Sequence, residues 1–262
     1  MTTPLTPRKH LGQNFLRDPN TARRIVAGLA AGEEDPVVEI GPGTGALTEI
    51  LRAQFKRLRV IEVDPRAAML LAARWPDLDI TEGDVLEADW SAIARDMGAP
   101  LAVIGNLPYY ITSPILFSLL DAAAAGALDE AVIMMQYEVA MRLIAVPRTK
   151  TYGILSVAVQ LLCNSEVLFP VSRHVFHPKP DVRSAVVRLV PRTGALSLAE
   201  AREVRTVVRT AFNQRRKTLR NSLRSLSGED GHRIPEKWRG VRAEELAPDD
   251  FVELTGYLSD PT

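Results

Sequence analysis

The chain has 262 residues, 46% hydrophobic and 24% charged, the balance of a water-soluble globular protein rather than a disordered or fibrous one. Lys and Arg (32) equal Asp and Glu (32), so a strongly basic chain is excluded and any basic footprint must be local. A disulfide framework is excluded by the lone Cys163, a metal site by four histidines without ligand spacing, and a membrane span by the absence of any run of roughly 18 apolar residues.

The length suits one large domain plus a small one. Residues 1–10 lack the apolar core of a signal peptide, so the expected location is cytoplasmic. Residues 8–17 mix basic, amide and aromatic groups around one glycine, and Gln13-Asn14-Phe15-Leu16 reads as an N-terminal arm. Asp18-Pro19 then caps a predicted helix with an apolar face of Ala22, Ile25, Val26 and Leu29. Residues 36–40 are the first predicted strand, followed by Gly41-Pro42-Gly43-Thr44-Gly45 and a helix, a turn that lets backbone N–H groups approach a ligand. Residues 58–63 are the second strand, with Asp64-Pro65 capping the next helix. Glu62 lies 62 − 41 = 21 residues past the first glycine, where an acid accepts both hydroxyls of a ribose. Residues 78–81 are the third strand, and Asp84 at its end is placed to accept from an adenine amine. Together these point to an adenosine-containing cofactor.

The fourth strand, 100–104, stops at Gly105-Asn106-Leu107-Pro108-Tyr109-Tyr110. Pro108 denies the ladder a donor, and Ser113-Pro114 is predicted to open the following helix. An amide, a proline-fixed turn and two aromatics therefore meet at the carboxyl end of a strand, where open α/β sheets hold their ligands. A planar amine could stack on a tyrosine there while its N–H groups bond to Asn106 and nearby carbonyls. Residues 130–136 are the fifth strand, with a helix over 138–146. Three further segments, 154–162, 166–169 and 184–190, read as strand-like, the last two as an antiparallel addition to the sheet. A break at Pro191-Arg192-Thr193-Gly194 divides the chain into domains 1–191 and 192–262. The second is predicted helical over 198–212, with a turn near Asn213-Gln214 and another helix carrying Leu219, Leu223 and Leu226. Arg205, Arg209, Arg215, Arg216, Lys217 and Arg220 crowd this region and suit phosphate contacts. The expected fold class is α/β, a Rossmann-like, mostly parallel doubly wound sheet plus a small all-helical domain.

Several stretches jointly resemble the ribosomal RNA adenine dimethyltransferase family: Gln13–Leu16, Glu39–Thr48, Val60–Asp64, Gly83–Leu86 and Gly105–Ile111. Phe176-x-Pro178-x-Pro180-x-Val182-x-Ser184 and Phe212-x-x-Arg215-Arg216-Lys217-Thr218-Leu219-x-Asn221 resemble its small-subunit branch. The resemblance, over about residues 8–225, implies N6,N6-dimethylation of two neighbouring adenosines near the 3′ end of small-subunit (16S) ribosomal RNA, with S-adenosyl-L-methionine as methyl donor. It implies the immature small subunit as partner, in the course of ribosome biogenesis, and a monomer is expected. It also implies that Asn14 and Leu16 close over the cofactor, Gly41 and Gly43 line its methionine part, Glu62 holds the ribose, and Asp84 with Val85 addresses the adenine. Asn106 and Leu107 would accept the target amine's N–H groups next to Pro108, Tyr109 would stack on the base, and Phe176 would cover its other face. Two positions depart from the family's pattern: Tyr137 stands where lysine is common, and Ile154 where arginine is usual. The rival functions are a dinucleotide-dependent oxidoreductase, which leaves Asp84 and Asn106–Tyr109 unexplained, a non-catalytic assembly factor, and a methylase of large-subunit RNA or DNA adenine.

Overall fold

The computed structural model describes residues 5–8, 11–227 and 232–259; Lys9 and His10 of the arm lie outside the described residues. Two compact units divide the chain: Met1–Ala140 with Ser165–Pro191, and Met141–Asn164 with Arg192–Thr262.

In the first unit the chain runs β1 (Phe15–Leu16), α1 (Pro19–Val26), β2 (Pro36–Ile40), α2 (Thr48–Gln54), β3 (Arg57–Glu62), α3 (Pro65–Arg74), β4 (Asp79–Glu82), α4 (Trp90–Asp96), β5 (Leu101–Asn106), α5 (Thr112–Ala124) and β6 (Leu128–Gln136). After α6 (Tyr137–Leu143) and α7 (Ile154–Leu162) come β7 (Cys163–Val171), β8 (Phe176–His177) and β9 (Ser184–Pro191). Seven strands form one sheet in the order β4-β3-β2-β5-β6-β9-β7. The pairs joining β4 to β6 are parallel, and β9 joins β6 antiparallel, as the alternation of strand and helix predicts. β2 is buried throughout and β5 up to Gly105. Their near-continuous apolar sequence therefore has the two-faced burial typical of parallel strands. Both predicted aspartate caps form: Asp18 accepts from the Thr21 N–H at 2.8 Å and Asp64 from that of Arg66 at 3.1 Å. The chain leaves β2 toward β3 on one side and takes up β5 on the other, so the strand order reverses between β2 and β5. A crevice opens at such a point, outside the carboxyl ends of the strands.

Two expectations about helices change. The helix after strand four begins at Thr112, not at Pro114, because a single 3₁₀ turn, Tyr109–Ile111, precedes it and the Thr112 hydroxyl donates to the Pro108 carbonyl at 3.0 Å. Pro114 still falls in the first turn, where its missing N–H costs nothing. Residues 154–162 are a helix, not a strand. Seven of the nine residues of α7 are buried, and an apolar run with no polar face carries no period by which helix and strand differ.

That helix belongs to the second unit, which therefore takes Met141–Asn164 in addition to the region beyond the break at 191. The unit continues with α8 (Leu198–Asn213), α9 (Leu219–Ser222), α10 (Arg224–Ser227), α11 (Glu236–Arg239) and α12 (Pro248–Ser259), so its helical character is as expected. A capping box opens α8: the Glu200 N–H donates to the Ser197 hydroxyl while the Glu200 carboxylate accepts from the Ser197 N–H. α8 ends at Asn213, at the predicted turn. Phe212 packs edge-on against Tyr152 at 6.1 Å and near Phe251 at 6.0 Å, and the buried Tyr152 hydroxyl donates to the Leu246 carbonyl at 2.9 Å. Cys163 is a buried thiol, pushed up to about 12 by its apolar surroundings, as the sequence suggests for a core cysteine.

Candidate active site

At the β2–β5 crevice lies an open cleft of about 930 Å³, solvent at its mouth included. The arm residues Asn14 and Leu16, the glycine turn, Glu62, Asp84, Val85 and Asn106–Tyr109 all line it. Sequence positions spread over nearly a hundred residues thus converge because four strand ends do.

The glycine turn is shaped by its backbone. Gly41 and Gly43 have φ of 64° and 56°, in the left-handed region that other residues enter at a cost. A Cβ on Gly43 would stand 3.0 Å from the Phe15 ring, so the arm packs on the bare backbone, whereas Gly41 faces open space. Glu62, buried at the end of β3, accepts from the Gly43 N–H and the Asp64 N–H, both at 2.9 Å. Burial raises its carboxyl above the ordinary range, and the two N–H bonds oppose that rise. Each carboxylate oxygen retains a lone pair, so the acid is anchored without being saturated. Asp84 caps its own turn, accepting from the Leu86 N–H at 2.9 Å, and stays exposed with capacity to spare. Val85 is buried beside it.

The Asn106 amide donates from Nδ2 to the Asn14 backbone oxygen at 3.0 Å. Its Oδ1 is then the amide atom left to accept from a ligand. The Leu107 N–H is spent on the Met134 carbonyl at 3.0 Å, which fixes the turn to β6. Tyr109 is half-buried, with its hydroxyl 2.7 Å from that of Ser184 on β9; burial raises its phenol. The ring is therefore held at its far end while one side borders the cleft.

Phe176 is not brought to this place. It is 5% exposed, lies opposite Leu16 in the β1–β8 pair and belongs to the hydrophobic cluster with Ile25 and Val171. Burying a phenylalanine ring is worth roughly 1.5–3 kcal/mol, and that holds it in the core rather than over a base. Among the basic residues, Arg209, Arg216, Lys217 and Arg220 are exposed, as phosphate contacts require. Arg205 is half-buried in an apolar crevice between α7 and α8. Arg215 pairs with Glu244 at 2.6 Å and donates to the Lys150 and Thr149 carbonyls at 3.1 Å, so its guanidinium clasps the second unit together.

Three groups have roles that the sequence does not disclose. Glu39, the fourth residue of apolar β2, is buried and borders the cleft. Burial pushes its carboxyl up to about 8; the Thr48 hydroxyl, donating to it at 2.6 Å, lowers it in part, and the nearby Glu62 charge adds to the rise. An acid inside a five-residue apolar strand was the available signal. Gln13 ties the arm down by donating to Asp64 at 2.9 Å. Arg66 holds the Asp64 carboxyl at about 2, its hydrogen bond outweighing the rise that burial would cause. Ser184, the anchor of Tyr109, closes the Phe176–Ser184 motif, but nothing in the sequence names its partner.

Glu62 and Asp84, an open glycine turn and a neutral amide suit a cationic, hydroxyl-bearing molecule beside a planar one. No group of three His, Cys, Asp or Glu side chains among the described residues could hold a metal ion, and no described helix is long and apolar enough to cross a membrane. A family model described as ribosomal RNA adenine dimethylase matches residues 5–260. A ribosomal RNA small subunit methyltransferase A from Salinibacter ruber is 50% identical over 260 residues, 98% of this chain and 87% of the relative. Another of that name from Chlorobium chlorochromatii is 46% identical, covering 98% of this chain and 95% of the relative. Among solved structures, a dimethyladenosine transferase from Plasmodium falciparum superposes with a TM-score of 0.74 at 25% identity, over 91% of this chain and 95% of that one. The 23S rRNA methyltransferase ErmE gives 0.66 at 28%, over 94% and 100%.

Proposed function

The chain belongs to the ribosomal RNA adenine dimethylase family, and from that premise we propose that it transfers methyl groups from S-adenosyl-L-methionine to the N6 atoms of two adjacent adenosines in the 3′-terminal loop of small-subunit (16S) ribosomal RNA, during assembly of that subunit. The observation that carries the reading is the Asn106 amide, fixed through Nδ2 by the arm and facing a cleft lined by Glu39, Glu62 and Asp84.

The residues present fit the donor. Glu62, anchored by two backbone N–H groups, accepts ribose hydroxyls; Asp84 and Val85 receive the adenine; Gly41 and Gly43 leave room for the methionine part, with Asn14 and Leu16 as the cover. When bound, the cofactor supplies a methyl group already activated on a sulfonium.

The remaining work is to bring an unreactive amine into line, and positioning of that kind is worth effective molarities of roughly 10⁵–10⁸ M. An adenine amine is a poor nucleophile because its lone pair is spread into the ring. The Asn106 Oδ1 and the Leu107 carbonyl accept its two N–H bonds and draw the nitrogen toward a tetrahedral shape. Neutral acceptors suit the task, since a carboxylate there would also stabilise the sulfonium before reaction. No strong base is needed, because the methylated ammonium is acidic and loses its proton to water. Tyr109, tethered at its hydroxyl, stacks on a base that has left its own stack. Arg209, Arg216, Lys217 and Arg220 take phosphates on the second unit.

The test is methyl transfer from labelled cofactor onto immature small subunits, followed by mapping of the modified base. Two dimethylated neighbours in the 3′-terminal loop are expected; label confined to large-subunit RNA, or none at all, would overturn the reading.

A further inference from the structure

A row of side chains continues from Tyr109 along the strand ends of the first unit. The Tyr109 hydroxyl meets Ser184, and Ser184 pairs with Gln136 at the last rung between β6 and β9. One residue further along on each side, the Tyr137 N–H donates to the Arg183 carbonyl at 3.0 Å, and the Arg183 guanidinium lies over the Tyr137 ring, 3.7 Å from its centre. Arg183 is exposed, and among the described residues no carboxylate pairs with it.

The geometry restrains the charge without neutralising it. A guanidinium held over a ring by a cation–π contact keeps its N–H donors, the fork that takes two phosphate oxygens at once.

We propose that Arg183, splayed on Tyr137, binds the phosphate beside the extruded adenosine and so sets the register in which the RNA strand enters the site. The inference rests on the base-binding role proposed for Asn106 and Tyr109. A target with two adjacent adenosines makes such a contact useful, because a strand free to slip by one nucleotide would present the wrong neighbour. In single-stranded RNA the phosphate is the group that repeats at every step, and a fixed cation one residue from the tyrosine anchor addresses it whatever the adjoining base.

The experiment uses the full chain and undermethylated small subunits, measuring KM and kcat for the particle and the salt dependence of its binding. Arg183→Gln is expected to raise KM for the particle about tenfold, with a smaller fall in kcat, and to flatten the slope of log K against log salt by about 0.7–0.9. Arg183→Lys should restore the slope but only part of KM, since a point charge replaces the fork. Tyr137→Leu should raise KM with the slope kept. Asn106→Ala, run alongside, separates the two claims. If it loses turnover while Arg183→Gln keeps the parent's KM and slope, this inference alone is overturned. If Asn106→Ala turns over like the parent, the base-site reading fails and takes this inference with it. A fall in kcat accompanied by a fall in melting temperature for Arg183→Gln, with an unchanged slope, marks a mere tie between strands and overturns the inference as well.

Discussion

Two residues of the cleft set its chemistry in opposite ways. In the proposed reaction Asn106 serves as a neutral acceptor held by the arm, and removing one preorganised polar partner of this sort costs about 10²–10³-fold in rate. Asn106→Ala is expected to lose that much methyl transfer while calorimetry finds cofactor affinity far less affected; turnover within threefold of the parent would exclude the role. Glu39 is instead a buried acid whose folded pKa of about 8 stands above its ordinary 4.5. Folding thus favours the protonated form. Its contribution is fully present below about pH 4.5, declines as pH rises, and is gone above about pH 8. Glu39→Gln removes that dependence, so its melting temperature should gain on the parent's steadily between pH 5 and 8; a gap constant across that range would rule the effect out. Asn106 was legible because its neighbours, Gly105 and Pro108, announce a strand end. Glu39 was not, because sequence alone does not tell which face of β2 meets the glycine turn.

At the scale of elements, the site depends on how closely β2 and β5 approach. Gly105 pairs with Ile40, and a Cβ there would stand 2.7 Å from the Ile40 carbonyl oxygen and 3.1 Å from its Cβ. Both strands are locked in a parallel ladder, so the clash must push backbone. Gly105→Ala should cost about 1–3 kcal/mol, lowering the melting temperature by roughly 2–4 °C per kcal/mol in a protein of this size. Cofactor binding should weaken too, since Gly41 follows Ile40. A variant that melts and binds like the parent would show that Ile40 gives way. The central strands could be read from the sequence because apolar runs of strand length end at glycine, proline or aspartate. The β1–β8 pair could not: each strand has two residues, too few for a period, and Phe15 meets His177 across most of the unit's length. That unseen pairing is what draws Phe176 inward, and with it went the expectation that its ring covers a base.

For the whole molecule, a net charge of zero means that attraction to RNA must come from where the cations sit. Arg216 and Arg220 are exposed on the second unit, and the Arg216→Ala, Arg220→Ala double variant should flatten the salt dependence of RNA binding by about 0.7–0.9 log units per decade for each phosphate no longer held. Arg215→Ala, next in sequence, should lower the melting temperature instead, because its guanidinium grips Glu244 and two carbonyls. If both variants change the slope alike, that division of labour is wrong. The order of residues revealed a local crowding of cations in an otherwise neutral chain, but only the fold distinguishes those turned outward from the one used as a clasp. The bond from the Asn106 amide to the Asn14 main-chain oxygen has a consequence of another kind. No side-chain replacement at position 14 deletes that oxygen, so a scan that swaps residues one at a time would pass over the group that aims the amide. Shortening the leader by one residue ahead of Phe15, which slides a different carbonyl into the place, would expose it.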